Sequence, residues 1–190
     1  MRVLLALVLT VVSLALIVPR GCQGVRARVL LTLLRESERP VEIVPTDPIG
    51  FRFPATAVRA VALIDLHAAA TADGHVSFLP PPGSDRYAWA AGVCPTWSAQ
   101  CLDARPPATV AEITYGQVPA GLAQIEPARG APPALRPHHL YGLALFGDKL
   151  FALKVFYRDN AGIHTMDGWR FATAITTGER APIHAFLPQH

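Results

Sequence analysis

Short apolar runs separated by turn residues dominate the pattern along most of the chain. Over residues 25–33, apolar and polar positions alternate with a period of two, which predicts a half-buried strand. Further strands are predicted at similar runs, which occupy residues 41–44, 58–66, 75–79, 87–93, 109–115, 140–146, 150–157 and 169–175, with a terminal edge at 185–187. About nine strands without a fixed repeat are typical of an all-β fold, an immunoglobulin-like or related antiparallel β-sandwich.

Turn-forming residues define the expected connections between these strands. Asp73-Gly74 and Gly147-Asp148-Lys149 each stand between two apolar runs, as in β-hairpins. Pro45, Pro48 and Pro54 are expected to divide their stretch into short edge-like pieces, because proline donates no hydrogen bond to a ladder. Irregular connections are predicted at a proline-rich crossover, residues 116–139, and at a polar loop, residues 158–168.

An apolar segment at the start of the chain predicts export. Arg2 precedes residues 3–18, an apolar run interrupted only by Thr10 and Ser13, and this order is typical of a secretory signal. As a helix the run would span roughly 24 Å, less than the ~30 Å of a membrane core. A cleaved signal at residues 1–22, followed by a single domain at 25–190, is therefore favoured over an uncleaved anchor.

Gly21-Cys22 resembles the lipobox of bacterial lipoproteins. In that motif a small residue precedes a cysteine that is acylated and becomes the new N-terminus. Pro19 and Arg20 depart from the pattern, which has an aliphatic and a small residue at these places. The resemblance implies lipidation of Cys22 and attachment to a membrane, and cleavage after Gly24 is the alternative.

The chain has three cysteines, and two of them are close together in the sequence. Cys94 and Cys101 are separated by six residues, a spacing that fits neither a C-x-x-C redox motif nor a zinc knuckle. In an oxidising compartment the expected result is a disulfide between them. Acylation of Cys22, or its removal with the signal, accounts for the third cysteine.

Charge gives little support to a nucleic-acid partner. The net charge is +3, and without Arg2 and Arg20 the 15 remaining basic residues face 14 acidic ones, which leaves +1. No run of five like charges marks a basic tail. We therefore expect no nucleic acid among the partners.

Local catalytic and metal-binding motifs are absent from the sequence. No G-x-S-x-G, H-E-x-x-H, phosphate-binding loop, dinucleotide fingerprint or EF-hand occurs, so no catalytic residue, metal or cofactor is predicted. Asp65 and His67 would share a strand face as an acid–base pair, although a plain surface pair is the simpler interpretation. His138 and His139 would point to opposite strand faces and so share no metal. The oxygen donors of residues 159–168 are read as turn chemistry rather than a calcium loop.

These observations favour an exported protein of the bacterial periplasm or cell surface that acts without catalysis. Its expected partner is an envelope protein or a surface polymer, and loops between rigid strands, residues 116–139 and 94–101, are the candidate contact regions. A carbohydrate-binding module that uses Trp97 with Tyr87 or Tyr115 is one alternative. A hydrolase with an Asp and His site is another. Trp89 and Trp169 lie in apolar runs and are predicted to be core residues.

Overall fold

The described part of the protein is built mainly of antiparallel strands. The computed structural model describes residues 40–67, 86–147, 150–177 and 181–186. The strands in these residues are β1 (Glu42–Val44), β2 (Gly50–Val58), β3 (Ala60–Asp65), β4 (Tyr87–Gly92), β5 (Ala108–Thr114), β6 (Ala123–Glu126), β7 (Tyr141–Phe146), β8 (Leu150–Asp159) and β9 (Gly162–Asp167). The helices are α1 (Ala99–Ala104), α2 (Gly168–Thr177) and α3 (Ala181–Phe186).

The strands form two sheets. The small sheet has the order β1-β2-β5, and the large sheet has the order β6-β4-β3-β7-β8-β9. All the strand pairs in the described residues are antiparallel. The chain passes from the small sheet to the large one at Arg59, between β2 and β3. Two antiparallel sheets are consistent with the predicted all-β sandwich.

One hydrophobic cluster fills the space between the two sheets. Phe51 and Val58 on β2 and Ile113 on β5 contribute from the small sheet, whereas Trp89 and Phe156 contribute from the large sheet. Alternate residues of β3 follow the strand period, since Val61 and Leu63 belong to this cluster while Ala62 and Ile64 belong to the other. We call this group the inter-sheet cluster.

A second cluster covers the opposite face of the large sheet. Strand residues such as Ile64 and Val155 meet Phe171 of α2 and Ile183 of α3 there. The large sheet is therefore buried on both faces, which explains why β3 and β7 read as nearly continuous apolar runs rather than alternating ones. We call this second group the helix-side cluster. None of the helices in the described residues is long and apolar enough to cross a membrane.

Several predicted strands are present. The runs at 41–44, 58–66, 87–93, 109–115, 140–146 and 150–157 correspond to β1, β3, β4, β5, β7 and β8. Trp89 and Trp169 are buried, as predicted. Other predictions lie outside the described residues, namely the signal at 1–22 with Cys22, the strand at 25–33, the Asp73-Gly74 hairpin with the strand at 75–79, and the turn residues Asp148 and Lys149.

Pro54 does not divide its strand as predicted. β2 runs continuously through Pro54 and is the central strand of the small sheet. The β2–β5 pairing shifts register between Arg52 and Thr56, and the β1–β2 pairing ends at Arg52. Pro54 therefore lies at an irregularity where no ladder hydrogen bond is required of it.

The sequence interpretation is wrong over most of the last thirty described residues. The predicted polar loop at 158–168 is largely β9, which pairs with β8 through a tight turn. The predicted strand at 169–175 is α2, and residues 185 and 186 of the predicted terminal edge belong to α3. The carboxylate of Asp167 accepts a hydrogen bond from the backbone N–H of Arg170 at 2.7 Å, which caps the start of α2.

Candidate functional site

A cleft opens at one end of the inter-sheet layer. It has a volume of about 430 Å³, within the range of small-molecule sites. Three chain stretches, residues 47–49, 115–117 and 131–136, and the side chains of Tyr141, Phe156 and Arg158 line it. Two of these stretches belong to, or border on, the proline-rich segment that the sequence marks as a contact region. We call residues 116–139 the proline segment.

The floor of the cleft is aromatic and belongs to the large sheet. Tyr141 on β7 and Phe156 on β8 are cross-strand partners, and their ring centroids lie 5.9 Å apart. Phe156 also packs on Phe51 of β2, with 5.6 Å between the centroids. The floor is thus part of the inter-sheet cluster and is fixed by the sandwich itself.

Two tyrosine hydroxyls hold the proline segment over this floor. The hydroxyl of Tyr115 lies 2.6 Å from the carbonyl oxygen of Pro133 and 3.3 Å from that of Ala88. The hydroxyl oxygen of Tyr141 accepts a hydrogen bond from the backbone N–H of Arg136 at 2.9 Å. These bonds fix the cleft wall at two points, so the cleft exists before any ligand binds.

Further contacts fix the path of the proline segment. The side chain of Gln124 donates to the carbonyl oxygens of Pro127 and Gly130 at 2.6 and 2.9 Å. Gly116 has a φ of 79°, and a Cβ at this position would lie 3.1 Å from the ring of Pro132. Close approach of the two walls therefore requires glycine here. Contrary to the sequence interpretation, the segment is not wholly irregular, because β6 lies within it.

Both tyrosines keep their protons at neutral pH. Burial raises the pKa of Tyr115, and the neighbouring Tyr141 raises it further. Burial also raises the pKa of Tyr141, and the hydrogen bond from the Arg136 backbone only partly offsets this effect. Each hydroxyl is therefore a hydrogen-bond donor under physiological conditions.

Charged side chains stand at the rim of the cleft. Arg136 and Arg158 line it and are exposed, and Asp47 is the one acidic residue among the described residues of the lining. Within the described residues, neither guanidinium group makes a hydrogen bond or an ion pair. This part of the chain therefore offers two free cations and one carboxylate to the rim.

A second polar group gathers beside Tyr141. The carboxylate of Asp65 lies 3.3 Å from Nδ1 of His139 and accepts a hydrogen bond from the backbone N–H of His67 at 2.9 Å. The rings of His67 and His139 stack with 4.3 Å between centroids. Asp65 is thus paired with His139, 74 residues away, and not with the ring of His67, the acid–base pairing that the sequence offered as the less favoured possibility.

His138 differs from its predicted conformation. Its φ of 60° places it in a turn before β7, so the argument from alternating strand faces does not apply to it. The described residues contain no group of three or more histidine, cysteine, aspartate or glutamate side chains that could hold a metal ion.

The predicted oxygen-rich stretch at 159–168 uses its carboxylates for local structure. Asp159 accepts hydrogen bonds from the backbone N–H groups of Ala161 and Gly162 and from Nε2 of His164, at 2.8, 3.1 and 3.0 Å. These bonds close the β8–β9 turn. Asp167 caps α2 as described above, so both carboxylates already have protein partners.

The loop that contains Trp97 is closed by a disulfide. Cys94 and Cys101 are bonded to each other, as the sequence predicts, and Cys101 lies on α1. Arg59 donates from its guanidinium group to the carbonyl oxygens of Leu102 and Arg105, which ties α1 to the crossing between the sheets.

Trp97 packs against the large sheet. Its ring stacks on Tyr87 with centroids 5.3 Å apart and meets Phe146 edge-on at 6.4 Å. Tyr115, the other proposed partner, is buried in the inter-sheet cluster. Stacking on a neighbouring ring favours a packing role over a flat carbohydrate platform of two coplanar rings.

Of these features, the sequence pointed to the proline segment, the disulfide and Asp65. It gave no sign that Tyr115 and Tyr141 anchor the cleft. Their hydrogen-bond partners, the Pro133 carbonyl and the Arg136 N–H, lie in a stretch without regular structure.

Comparisons with protein-family models, with curated proteins and with solved structures find no match to this chain.

Proposed function

We propose that this chain is an exported binding module of the bacterial cell envelope that holds a ligand in the cleft beneath the proline segment. The observation that carries the proposal is the cleft of about 430 Å³, whose floor and wall are both fixed by the fold. Rigid walls lower the entropic cost of binding, and small-molecule sites of this kind are usually largely pre-formed. The ligand is a small molecule or one end of a surface polymer or envelope partner.

Blocking the cleft tests this proposal. Ala134 is exposed and lines the cleft, whereas Ala128 is exposed on the same segment but does not line it. We expect that, in a thermal-shift screen of sugars, amino acids, carboxylates and short peptides, at least one class stabilises the native chain and Ala128→Trp but not Ala134→Trp. If no compound distinguishes the two tryptophan variants, the cleft is not a binding site.

The export part of the proposal rests on the N-terminal sequence pattern, and the Cys94–Cys101 disulfide is compatible with an oxidising compartment. We expect the mature chain to begin at acylated Cys22 or, without acylation, at Val25. Intact-mass spectrometry of the protein from its native host measures this. Recovery of a chain that retains Met1 would contradict cleavage, and an unmodified start at Val25 would contradict the lipid.

The immunoglobulin-like form of the sandwich likewise stays a prediction.

A hydrolase is the second candidate function, and the Asp65–His139 pair is the observation that favours it. A carboxylate that is hydrogen-bonded to Nδ1 of an imidazole can hold the ring in the orientation of a general base. His164, paired with Asp159 at the β8–β9 turn, provides a matched control. Loss of ester or amide hydrolysis in His139→Gln but not in His164→Gln would support catalysis. Equal activity in both variants would exclude this pair.

The carbohydrate alternative has its own test. Trp97→Ala removes the indole that the sequence offers as a stacking platform. If binding to a surface polysaccharide were lost while the unfolding temperature stayed close to that of the native chain, Trp97 would contact sugar. We expect instead that the variant is mainly destabilised, because the ring packs on Tyr87 and Phe146.

A further inference from the structure

The cleft described above contains a hydrogen-bond donor that the fold does not use. Tyr141 is only 4% exposed, and its hydroxyl oxygen already accepts a hydrogen bond from the backbone of Arg136. Within the described residues, the hydroxyl proton of Tyr141 has no acceptor. A buried donor without an acceptor costs free energy, so a ligand that supplies an acceptor at this point gains affinity.

The two rim arginines are held at the same end of the cleft as this hydroxyl. The carbonyl oxygen of Arg136 accepts from the backbone N–H of His139 at 3.4 Å, and that of Arg158 accepts from the backbone N–H of the adjacent His138 at 2.8 Å. The consecutive residues His138 and His139 thus hydrogen-bond to the backbones of the two arginines. The Arg136 backbone in turn donates to Tyr141. The backbones of both lining arginines and the Tyr141 hydroxyl therefore meet at one end of the cleft.

Apart from Gln117, the other side chains that line the cleft are mainly apolar or aromatic. Phe156 and Ile49 are buried parts of the inter-sheet cluster, and Leu135 packs against it. Asp47 lies before β2, and the carboxylate of Asp159, which lines a second pocket together with Asp47, is bound in the β8–β9 turn. The net charge of the three rim side chains is positive, since two arginines face one aspartate.

From this arrangement we infer that the ligand is an anionic amphiphile, with an apolar body on the aromatic floor and a carboxylate or phosphate head among Tyr141, Arg136 and Arg158. Arginine matches the geometry of both kinds of head group, and the tyrosine hydroxyl adds a charge-assisted hydrogen bond. This inference rests on the proposed function, because it specifies which class of ligand the same cleft takes.

Three probes of equal chain length and different charge test the inference. Octanoate, octanol and octylammonium share one apolar body, and their dissociation constants are measured by titration calorimetry or ligand-observed NMR at low salt. We expect octanoate to bind at least about 10-fold more tightly than the other two, and its advantage to shrink as salt is added. Octyl phosphate, compared with octanoate, distinguishes a phosphate head from a carboxylate head.

Variants assign this preference to the named groups. Arg136→Gln with Arg158→Gln is expected to weaken octanoate binding at least about 10-fold and to leave octanol unchanged. Tyr141→Phe is expected to weaken octanoate about 5- to 10-fold. Arg129→Gln, an exposed arginine of the proline segment that does not line the cleft, is the matched control and should change nothing. Asp47→Asn should tighten octanoate binding, because it removes the opposing charge.

The possible results separate this inference from the proposed function. Equal binding of all three probes, abolished by Ala134→Trp, would leave the cleft as a binding site and overturn its preference for anions. Tighter binding of octylammonium would overturn the preference in the same way and point to Asp47. Failure of octanoate to bind, while another class in the screen distinguishes Ala134→Trp from Ala128→Trp, would also overturn the inference alone.

Discussion

Tyr115 joins three parts of the molecule through one side chain. Its ring packs on Trp89 in the inter-sheet cluster, and its hydroxyl reaches carbonyl oxygens of β4 and of the proline segment. A phenolic hydroxyl has one proton, and the shorter distance of 2.6 Å identifies Pro133 as the main acceptor. The cleft wall therefore depends on a residue whose importance is not visible in the local sequence.

We expect Tyr115→Phe to lower the free energy of unfolding by about 1 kcal/mol and to weaken ligand binding in the cleft. The phenylalanine keeps the ring packing but leaves the Pro133 carbonyl without its donor. Tyr157→Phe is the control, since Tyr157 is also buried and no hydrogen bond of its hydroxyl is found in the described residues. Urea denaturation of the three proteins measures the difference, and equal stabilities would contradict the anchoring role.

Asp159 is a residue whose ionisation is linked to folding. Burial opposes the charged form, but the hydrogen bonds from His164 and from the N–H groups of Ala161 and Gly162 outweigh it and lower the pKa of the carboxyl group. The unfolded chain binds a proton here at a higher pH than the folded chain does. The resulting stabilisation is complete above the ordinary carboxyl pKa of about 4 and disappears as the pH falls below it.

Asp159→Asn should therefore flatten the acid side of the stability profile. We expect the native chain to lose stability more steeply than Asp159→Asn as the pH falls below about 4, and to be the more stable of the two at pH 7. Asp103→Asn, an exposed residue of α1, is the control. Denaturation midpoints at a series of pH values measure the slopes, and parallel profiles for all three proteins would contradict this role of Asp159.

At the scale of elements, α2 begins where its chain comes closest to the large sheet. A Cβ built on Gly168 would clash with the carbonyl oxygen of Leu153 on β8. The first residue of the helix therefore has to be glycine for the helix to lie on this face. Tertiary packing here overrides helix propensity, which by itself ranks alanine above glycine by about 1 kcal/mol.

Gly168→Ala separates these two effects because they have opposite signs. Propensity alone predicts stabilisation, whereas the clash with β8 predicts a loss of about 1–3 kcal/mol in the free energy of unfolding. Arg170→Ala on the exposed side of the same helix should change stability by no more than about 0.5 kcal/mol. Chemical denaturation measures both variants. A Gly168→Ala protein more stable than the native chain would show that α2 lies farther from β8.

The Cys94–Cys101 loop is a second element with a measurable contribution. In the chain-entropy model, closing a loop of about eight residues stabilises the folded protein by roughly 2.5 kcal/mol. We expect Cys94→Ser with Cys101→Ser to lose about this amount and still fold, because Arg59 continues to hold α1. The native chain under reducing conditions should match the double variant in urea denaturation. Unchanged stability after both treatments would contradict a structural role for the bond.

The elements that the sequence predicted correctly are those with a strong local signal. β3 and β7 are apolar runs with clear ends, and the antiparallel pairing of β7 with β8 agrees with the turn that the sequence predicts between them. α2 was mistaken for a strand because its buried residues, Trp169, Phe171, Ala172 and Ala174, form an apolar run when read without the cap at Asp167. The helix is stabilised by the cap at Asp167 and by packing on the large sheet, and the strand or helix propensity of the individual residues includes neither contribution.

The candidate site was less predictable than the fold, for a physical reason. Asp65 and His139 are 74 residues apart, and the cleft joins the stretch before β2, the stretch after β5, residues of β7 and β8, and the proline segment. Such contacts are set by strand order, which the sequence pattern does not determine. The proline content of residues 116–139 indicated an extended segment, but not the floor on which it lies.

At the scale of the whole molecule, the large sheet is shared by two hydrophobic clusters. β3, β4, β7 and β8 each send residues to the inter-sheet cluster and to the helix-side cluster. Neither cluster can lose its packing without exposing one face of the same strands to water. The small sheet, the large sheet and the helices are therefore expected to unfold together as one cooperative unit.

Two phenylalanines, one from each cluster, test this cooperativity. Phe51 lies between the sheets, Phe171 of α2 packs in the helix-side cluster, and both are fully buried. We expect Phe51→Ala and Phe171→Ala each to lower the free energy of unfolding by about 3–5 kcal/mol, with exposed Val118→Ala as a control near zero.

Hydrogen exchange read by mass spectrometry as a function of urea distinguishes one unfolding unit from two. Since β3 contributes to both clusters, the amides of β3 and of α2 should lose protection at the same urea concentration in the native chain. In either phenylalanine variant, both sets of amides should lose protection at the same, lower urea concentration. If Phe171→Ala released the amides of α2 while those of β3 kept their native protection, the helices would form a separate unit on an independently stable sandwich.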